Sequence, residues 1–126
     1  MKKLDVSQVL YLHDLIHNAT GGSTGVRDMG ALESAIYHVY ASFKGKDLYR
    51  TVEEKATRQA YGIIRNHPFI DGNKRTGLFV MLVFLELNDI KLTFTQHELV
   101  KLGIEIADGI INPAQITEWI LKHKKK

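Results

Sequence analysis

The chain has 126 residues, 25% of them charged and 44% hydrophobic, which is the balance of a globular protein and suits a single domain over 1–126. It has no cysteine, which excludes disulfides and thiolate metal sites and fits a reducing compartment. The net charge of +3 sets 17 Lys and Arg against 14 Asp and Glu, and Lys124, Lys125 and Lys126 supply that excess, so no basic nucleic-acid-binding face is expected. The tail itself is expected to be a frayed, solvated end. No apolar run follows Met1-Lys2-Lys3-Leu4, so no secretory signal is expected. The apolar stretch from Gly77 to Leu87 is far short of the roughly twenty residues a membrane span needs. A cytoplasmic protein without membrane contact is the expectation.

The first predicted helix covers residues 6–18, with Val9, Leu12, Leu15 and Ile16 on or near one face. It contains His13-Asp14-Leu15-Ile16-His17. Two histidines four apart on a helix can share a metal, and an acid after the first resembles the zinc-protease HExxH pattern. Here the acid is Asp and no third ligand follows. Polar surface residues are therefore expected, with a metal hydrolase built on His13 and His17 as the rival. Gly21-Gly22-Ser23-Thr24-Gly25-Val26-Arg27-Asp28 is a flexible loop that lacks the lysine of a P-loop. Asp28 suits the cap of the next helix.

That second helix spans residues 29–40, where Leu32, Ala35, Ile36, Val39 and Tyr40 form an apolar stripe of core type. Residues 41–50 are expected to be a connecting loop. Thr51-Val52-Glu53-Glu54 is a capping box that starts a third helix running to about Asn66. Ala56, Ala60, Ile63 and Ile64 form its buried face, and the small alanines allow close approach of a neighbouring helix. Arg65 is near enough in sequence to reach a shared pocket, but as a last-turn cation it also suits the helix dipole.

The stretch from Arg65 to Gly77 carries the densest chemistry. Pro68 disfavours helix at His67, so His67 belongs at or beyond the end of the third helix. Asp71-Gly72-Asn73 is turn chemistry, with Gly72 free to take positive φ. Asn73 can cap the following helix, whose first-turn N–H groups and dipole make an anion site. Lys74 and Arg75 in that first turn run against the dipole, which prefers acids there. Two cations so placed make sense if an anion, most simply a polyphosphate, sits on the helix start. Asp71 supplies a hard oxygen for Mg²⁺, which is normally held by one or two carboxylates plus substrate phosphates. Histidine is the side-chain type suited to proton abstraction near neutrality, and His67 is the one in this set. Behind these groups Leu78-Phe79-Val80-Met81-Leu82-Val83-Phe84-Leu85 is apolar all round, as a buried central helix would be.

Asn88-Asp89 ends that helix, and residues 91–94 are a short extended piece. Thr95-Gln96-His97-Glu98 is a second capping box, with Leu99, Leu102 and Ile106 inward and Gly109 as a stop. Asn112-Pro113 opens the last helix, with Ile116, Trp119 and Ile120 inward. The expected architecture is all-α: six helices around a buried central helix, with the active-site loop at its N-terminus.

His67-Pro68-Phe69-x-Asp71-Gly72-Asn73-x-Arg75 resembles the signature of the Fic/Doc superfamily. Fic-type members transfer AMP from ATP to a protein hydroxyl. They have glycine where this chain has Lys74, and a second arginine where it has Leu78. Both differences point to the Doc (death-on-curing) branch, whose motif reads Asn-Lys-Arg. Gly-Gly-x-x-Gly-Val-Arg-Asp at 21–28, with Leu32-Glu33-Ser34-Ala35, is also similar to that branch. There the region between the first two helices carries the target-docking flap, where Arg27 and Asp28 would meet a partner.

Members of the Doc branch are toxins of toxin–antitoxin pairs, and the prototype phosphorylates elongation factor Tu with ATP. The resemblance implies the Fic fold and a transfer of phosphate from ATP to a Ser or Thr hydroxyl. His67 would be the general base and Asp71 the Mg²⁺ ligand. Asn73, Lys74, Arg75 and the backbone at Gly72 would grip phosphates, with Phe69 as an anchor of the loop. The restraining Ser/Thr-x-x-x-Glu-Gly/Asn pattern of Fic proteins is absent from this sequence. Restraint is therefore expected from an antitoxin bound over the active site. Pro68 and Gly72 are Fic-like, which keeps AMP transfer as an alternative. A non-catalytic module that docks a partner through its anion site is a third.

Overall fold

The first N–H groups of a helix have no partner inside it, and short polar residues placed just before a helix satisfy them. In the computed structural model, which describes residues 1–125, Asp5, Asp28, Thr51, Thr95 and Asn112 each accept the N–H three residues on. They start α1 (Val6–Thr20), α2 (Met29–Tyr37), α3 (Val52–Asn66), α5 (Gln96–Ala107) and α6 (Pro113–His123). The sixth helix, α4 (Asn73–Leu87), starts on Gly72 with no side-chain cap. The fold is mostly α, with six helices among the described residues, as expected. The Thr95 box closes in both directions. At Thr51 the Glu54 carboxylate takes the Thr51 hydroxyl, Oγ1 to Oε1 3.2 Å, and leaves the reciprocal half unmade.

The core forms where α4 is wrapped by α1, α3 and α5. Val80, Met81, Phe84 and Leu85 of α4 are fully buried, against Ile63 and Ile64 of α3, Leu102 and Ile106 of α5 and Val9 of α1. α3 lies closest. A Cβ built on Gly77 would meet Ile64 Cγ1 at 2.6 Å and the Ala60 carbonyl at 3.2 Å, so the alanine and glycine let the two backbones approach. α3 also packs against α2 and α6. This buries polar residues outside its apolar stripe, which find partners except at Gln59 Oε1, left without one among the described residues. Lys55 donates to the Tyr49 carbonyl and faces Asp47 at 3.6 Å. Thr57 bonds Thr117 at 2.8 Å, and Gln59 donates to the Ile36 carbonyl at 3.2 Å.

Four expectations need correcting. The second helix yields at His38 to a single 3₁₀ turn, His38–Tyr40. Residues 41–50 are not a plain loop: Ser42–Phe43 (β1) pairs antiparallel with Lys46–Asp47 (β2). Lys44 and Gly45 both take positive φ, 52° and 76°, the geometry of a tight hairpin turn. Leu15 is exposed, because the inward face of α1 runs through Val9, Leu12 and His13. Finally, Lys124 and Lys125 are not frayed. Thr93 donates to the His123 carbonyl and Lys125 to the Lys91 carbonyl, both at 2.8 Å, and Lys124 pairs with Glu53. The backbone at 91–93 offers an unpaired edge, which the chain after α6 fills. Lys126 lies outside the described residues. Among the described residues no helix is long and apolar enough to cross a membrane.

Two consequences are measurable. Gly77→Ala gains roughly 0.5–1 kcal/mol of helix propensity but overpacks the α3–α4 contact at about 1–3 kcal/mol. Chemical denaturation should therefore show a net loss of stability. The second concerns His123, which bonds the Trp119 carbonyl through Nδ1 at 2.7 Å and the Glu98 carboxylate through Nε2 at 2.8 Å. Burial alone would lower its pKa. The Glu98 and Trp119 hydrogen bonds and the Glu98 charge outweigh burial and raise it. The His123 bond, with help from Thr95, lowers Glu98 to about 2. Stability from the raised histidine is complete below its unfolded value and fades as pH rises through the folded one; that from Glu98 fades as pH falls toward about 2. The Tm difference between wild type and His123→Asn should thus be largest near pH 5 to 6 and shrink at alkaline pH, as read by thermal melts.

Candidate active site

α3 stops because Pro68 cannot follow a helical residue comfortably. His67 takes the left-handed conformation, φ 49° and ψ 58°. This conformation costs a non-glycine residue about 1–2 kcal/mol, and the surrounding bonds hold it there. Arg27 donates from Nε to the His67 carbonyl and from Nη2 to the Asn66 carbonyl, both at 2.7 Å. The N–H groups of Arg27 and Asp28 both donate to the Pro68 carbonyl, at 2.7 and 3.0 Å, and Ile70 donates to the Gly25 carbonyl at 3.1 Å. The backbone of the flap, the segment 21–28 between α1 and α2, is therefore paired with Pro68 and Ile70, and the Arg27 side chain clamps the turn at Asn66 and His67. Asp28 caps α2 as expected. The His67 side chain is exposed and lines the cleft.

Beyond Pro68 the chain dives inward at Phe69, which is 1% exposed, and resurfaces at Ile70 and Asp71. Asn73 was expected to cap α4 and to grip phosphates. Its side chain instead binds the Phe69 backbone twice, accepting the N–H at Oδ1 and donating from Nδ2 to the carbonyl, both at 2.9 Å. Gly72, at φ 77°, occupies the cap position. That left-handed turn makes Asn73 the first helical residue and sends its amide back under the loop. The side chain is thereby committed to holding the loop.

Asp71 is exposed. Its Oδ1 accepts the Gly72 N–H at 2.8 Å, and Ser23 N–H lies 3.4 Å from Oδ2. A Cβ on Gly22 would sit 2.6 Å from Oδ2, so glycine there lets the flap reach the carboxylate. A carboxylate has about four lone-pair sites, and those left over can ligate a cation. Lys74 and Arg75 are exposed, and among the described residues neither pairs with a carboxylate. His67, Asp71, Gly72, Asn73, Lys74 and Arg75 all line one cleft of about 450 Å³, walled by Ile64, Ile70 and Ala107. Arg65 stays out of this lining. It donates to the Ala107 carbonyl at 2.9 Å and so ties the end of α5, which forms the far wall, to α3.

His13 and His17 are not a polar surface pair. His13 is 4% exposed and bonds the Asp71 carbonyl through Nε2 at 2.9 Å. Its ring stacks on Phe69 with centroids 3.9 Å apart and planes 5° from parallel. His17 is half-buried beside it, in a recess of about 20 Å³ that Asp71 and Arg75 also line. Among the described residues no three of His, Cys, Asp or Glu are placed to share an ion. The spacing of Val9, Leu12 and His13, on one helical face, was the available signal that His13 points inward. Arg27 offered no comparable local signal, because its partners lie about 40 residues away in sequence.

The arrangement can abstract a proton at His67 and hold a polyphosphate at the start of α4. It can also place one carboxylate beside that anion. The commitment of Asn73 to the loop has a direct test. Asn73→Ala strands two buried backbone groups of Phe69, at roughly 1–3 kcal/mol each, so a stability loss of about 2–6 kcal/mol is expected in urea unfolding.

Comparison with known proteins agrees with this geometry. The sequence model of the Fic/DOC family matches residues 3–85. The chain is 30% identical over 120 residues to a protein named Protein kinase doc from Escherichia phage P1, an alignment spanning 95% of this chain and 94% of that one. It is 38% identical over 74 residues to Toxin Doc of Mycolicibacterium smegmatis, spanning 59% of this chain and 57% of the toxin. The chain belongs to the Fic/DOC family, in its Doc branch.

Proposed function

We propose that this protein is a Doc-type toxin that transfers the γ-phosphate of ATP to a Ser or Thr hydroxyl of a target protein. Elongation factor Tu is the target that the resemblance suggests. The observation that carries the proposal is the start of α4, where Lys74 and Arg75 stand exposed on the same cleft as His67 and Asp71 and, among the described residues, have no carboxylate partner. The names Protein kinase doc and Toxin Doc of the two relatives support it.

Phosphoryl transfer asks for positioning and charge neutralisation more than for covalent help from the protein. The first-turn N–H groups of α4 and the Lys74 and Arg75 side chains bind and orient the phosphates. The stem of Lys74 runs against α5, its Cγ 3.6 Å from where a Cβ of Gly103 would be, which keeps its ammonium on the cleft side. Asp71 fits Mg²⁺, since it offers one carboxylate and leaves the remaining positions to phosphates and water; when bound, Mg²⁺ neutralises charge on the transferring group. His67 takes the proton of the target hydroxyl as its oxygen bonds to the γ-phosphorus. The bond from that phosphorus to the β–γ bridging oxygen breaks, and ADP leaves. A catalyst of this kind needs restraint, and a separate antitoxin chain over the cleft is the proposed source. The proposed setting is the cytoplasm, where ATP and the translation machinery are found.

AMP transfer is the second reading, favoured by Gly72 and Pro68 in the loop and opposed by Lys74 and Leu78. The test is to incubate the protein with Mg²⁺ and a bacterial translation extract, using α-labelled and γ-labelled ATP in parallel, with His67→Ala alongside. The expected result is label from γ only, on one protein band, reduced at least about 100-fold in the variant, as for loss of a general base. Label from α would establish AMP transfer instead. No label from either position would leave a binding module.

A further inference from the structure

A histidine that is 4% exposed and lies outside the reacting set needs an explanation, because a buried polar group is costly unless it is hydrogen-bonded. Among the described residues His13 makes one hydrogen bond, from Nε2 to the carbonyl oxygen of Asp71 at 2.9 Å. A carbonyl only accepts, so Nε2 carries the hydrogen. The ring lies flat on Phe69, 3.9 Å between centroids and 5° between planes. Phe69 is itself gripped at both backbone atoms by Asn73. The imidazole is thus fixed in plane and direction before it meets Asp71.

The bonded carbonyl belongs to the Asp71–Gly72 peptide. In a planar trans peptide the C=O and N–H point in opposite directions. Drawing the Asp71 carbonyl inward to His13 therefore turns the Gly72 N–H outward. That N–H does point away from the core, to Asp71 Oδ1 at 2.8 Å, and both Gly72 and Asp71 line the cleft. Without a donor at position 13 this peptide could turn over, since Gly72 at φ 77° has no Cβ to oppose it. A flip would point a carbonyl oxygen at the anion and remove the partner of the Asp71 carboxylate.

We propose that His13 is a positioning residue: it locks the Asp71–Gly72 peptide so that the Gly72 N–H holds the Asp71 carboxylate in place toward the phosphate-bearing substrate. The catalytic consequence rests on the phosphotransferase reading above, whereas the peptide orientation does not.

The experiment compares wild type with His13→Phe, which keeps a flat ring on Phe69 but has no donor, and His13→Gln, whose amide can donate from near the Nε2 position. Transfer of γ-label is followed at varied ATP. In His13→Phe, kcat should fall roughly 100-fold, the scale of a 1 Å misplacement, with KM for ATP within about threefold, because Lys74 and Arg75 are untouched. His13→Gln should recover most of the rate. Amide NMR on the same proteins should show the Gly72 resonance displaced in His13→Phe and near its original position in His13→Gln, with α6 amides unmoved in both. A wild-type rate in His13→Phe, or an unmoved Gly72 resonance, would overturn the proposal. So would a His13→Gln that folds yet is as impaired as His13→Phe. If His13→Phe does not fold, His13→Gln decides alone, by keeping or losing rate and resonance. Should wild type transfer no label, the phosphotransferase reading fails, and the Gly72 resonance still decides the role of His13.

Discussion

A short loop that must expose His67 and Asp71 has no helix or strand of its own to occupy its peptide groups. Buried backbone donors and acceptors must nonetheless find partners. In this protein the Asn73 amide closes on both backbone atoms of Phe69, at the centre of the loop, while Arg27, Asp28, Gly25 and His13 take groups on either side. That pair of hydrogen bonds holds Phe69 in the core and divides the loop into two exposed arches. One arch presents His67 and the other Asp71. Everything else at the site is built around this pin. Gly72 turns the chain onto α4, His13 lies flat on the pinned ring, and the flap runs along the outer edge of the same backbone.

The site is therefore assembled from three distant stretches. The flap at 23–28 holds the turn at His67 through Arg27, α1 contributes His13, and residues 67–75 carry the exposed chemistry. Such redundancy is costly in ordered side chains, each of which gives up rotamer freedom. It suits a reaction in which most of the rate comes from holding reactants in place. The strained, left-handed His67 belongs to the same account, since strain of this kind persists only where neighbours over-determine it.

Electrostatics at α4 run the other way. Two cations sit at the positive end of the helix dipole, and each such placement forgoes about 0.3–1 kcal/mol relative to an acid. The five other helices among the described residues begin on a capping oxygen, while α4 begins on Gly72 with no side-chain cap, and its first residues line the cleft. Among the described residues the Lys74 and Arg75 side chains there have no carboxylate partner. The buried length of α4, with Val80, Met81, Phe84 and Leu85 fully enclosed, supplies the rigidity that lets its first turn stay uncapped.

Local physics made much of this legible in the sequence. Capping residues and apolar periodicity located the six helices, and Pro68 and Asp71-Gly72 located the site loop, because caps, turns and amphipathic faces are properties of a few consecutive residues. That His67, Asp71, Lys74 and Arg75 share one cleft was likewise expected from their closeness in sequence, and they do line it together. Other roles were decided only by tertiary structure. The turn amide of Asn73 looked equally fit to cap a helix or to meet a phosphate, and only the buried position of Phe69 settled where it goes. His13 and Arg27 bond to backbone 58 and about 40 residues away. The β-hairpin and the docked segment at Lys124 likewise depend on neighbours that no short window contains. Hydrogen bonds to main-chain carbonyls leave little trace in the sequence, because every residue offers the same carbonyl. Which carbonyl a buried side chain finds is therefore known only once the chain has folded.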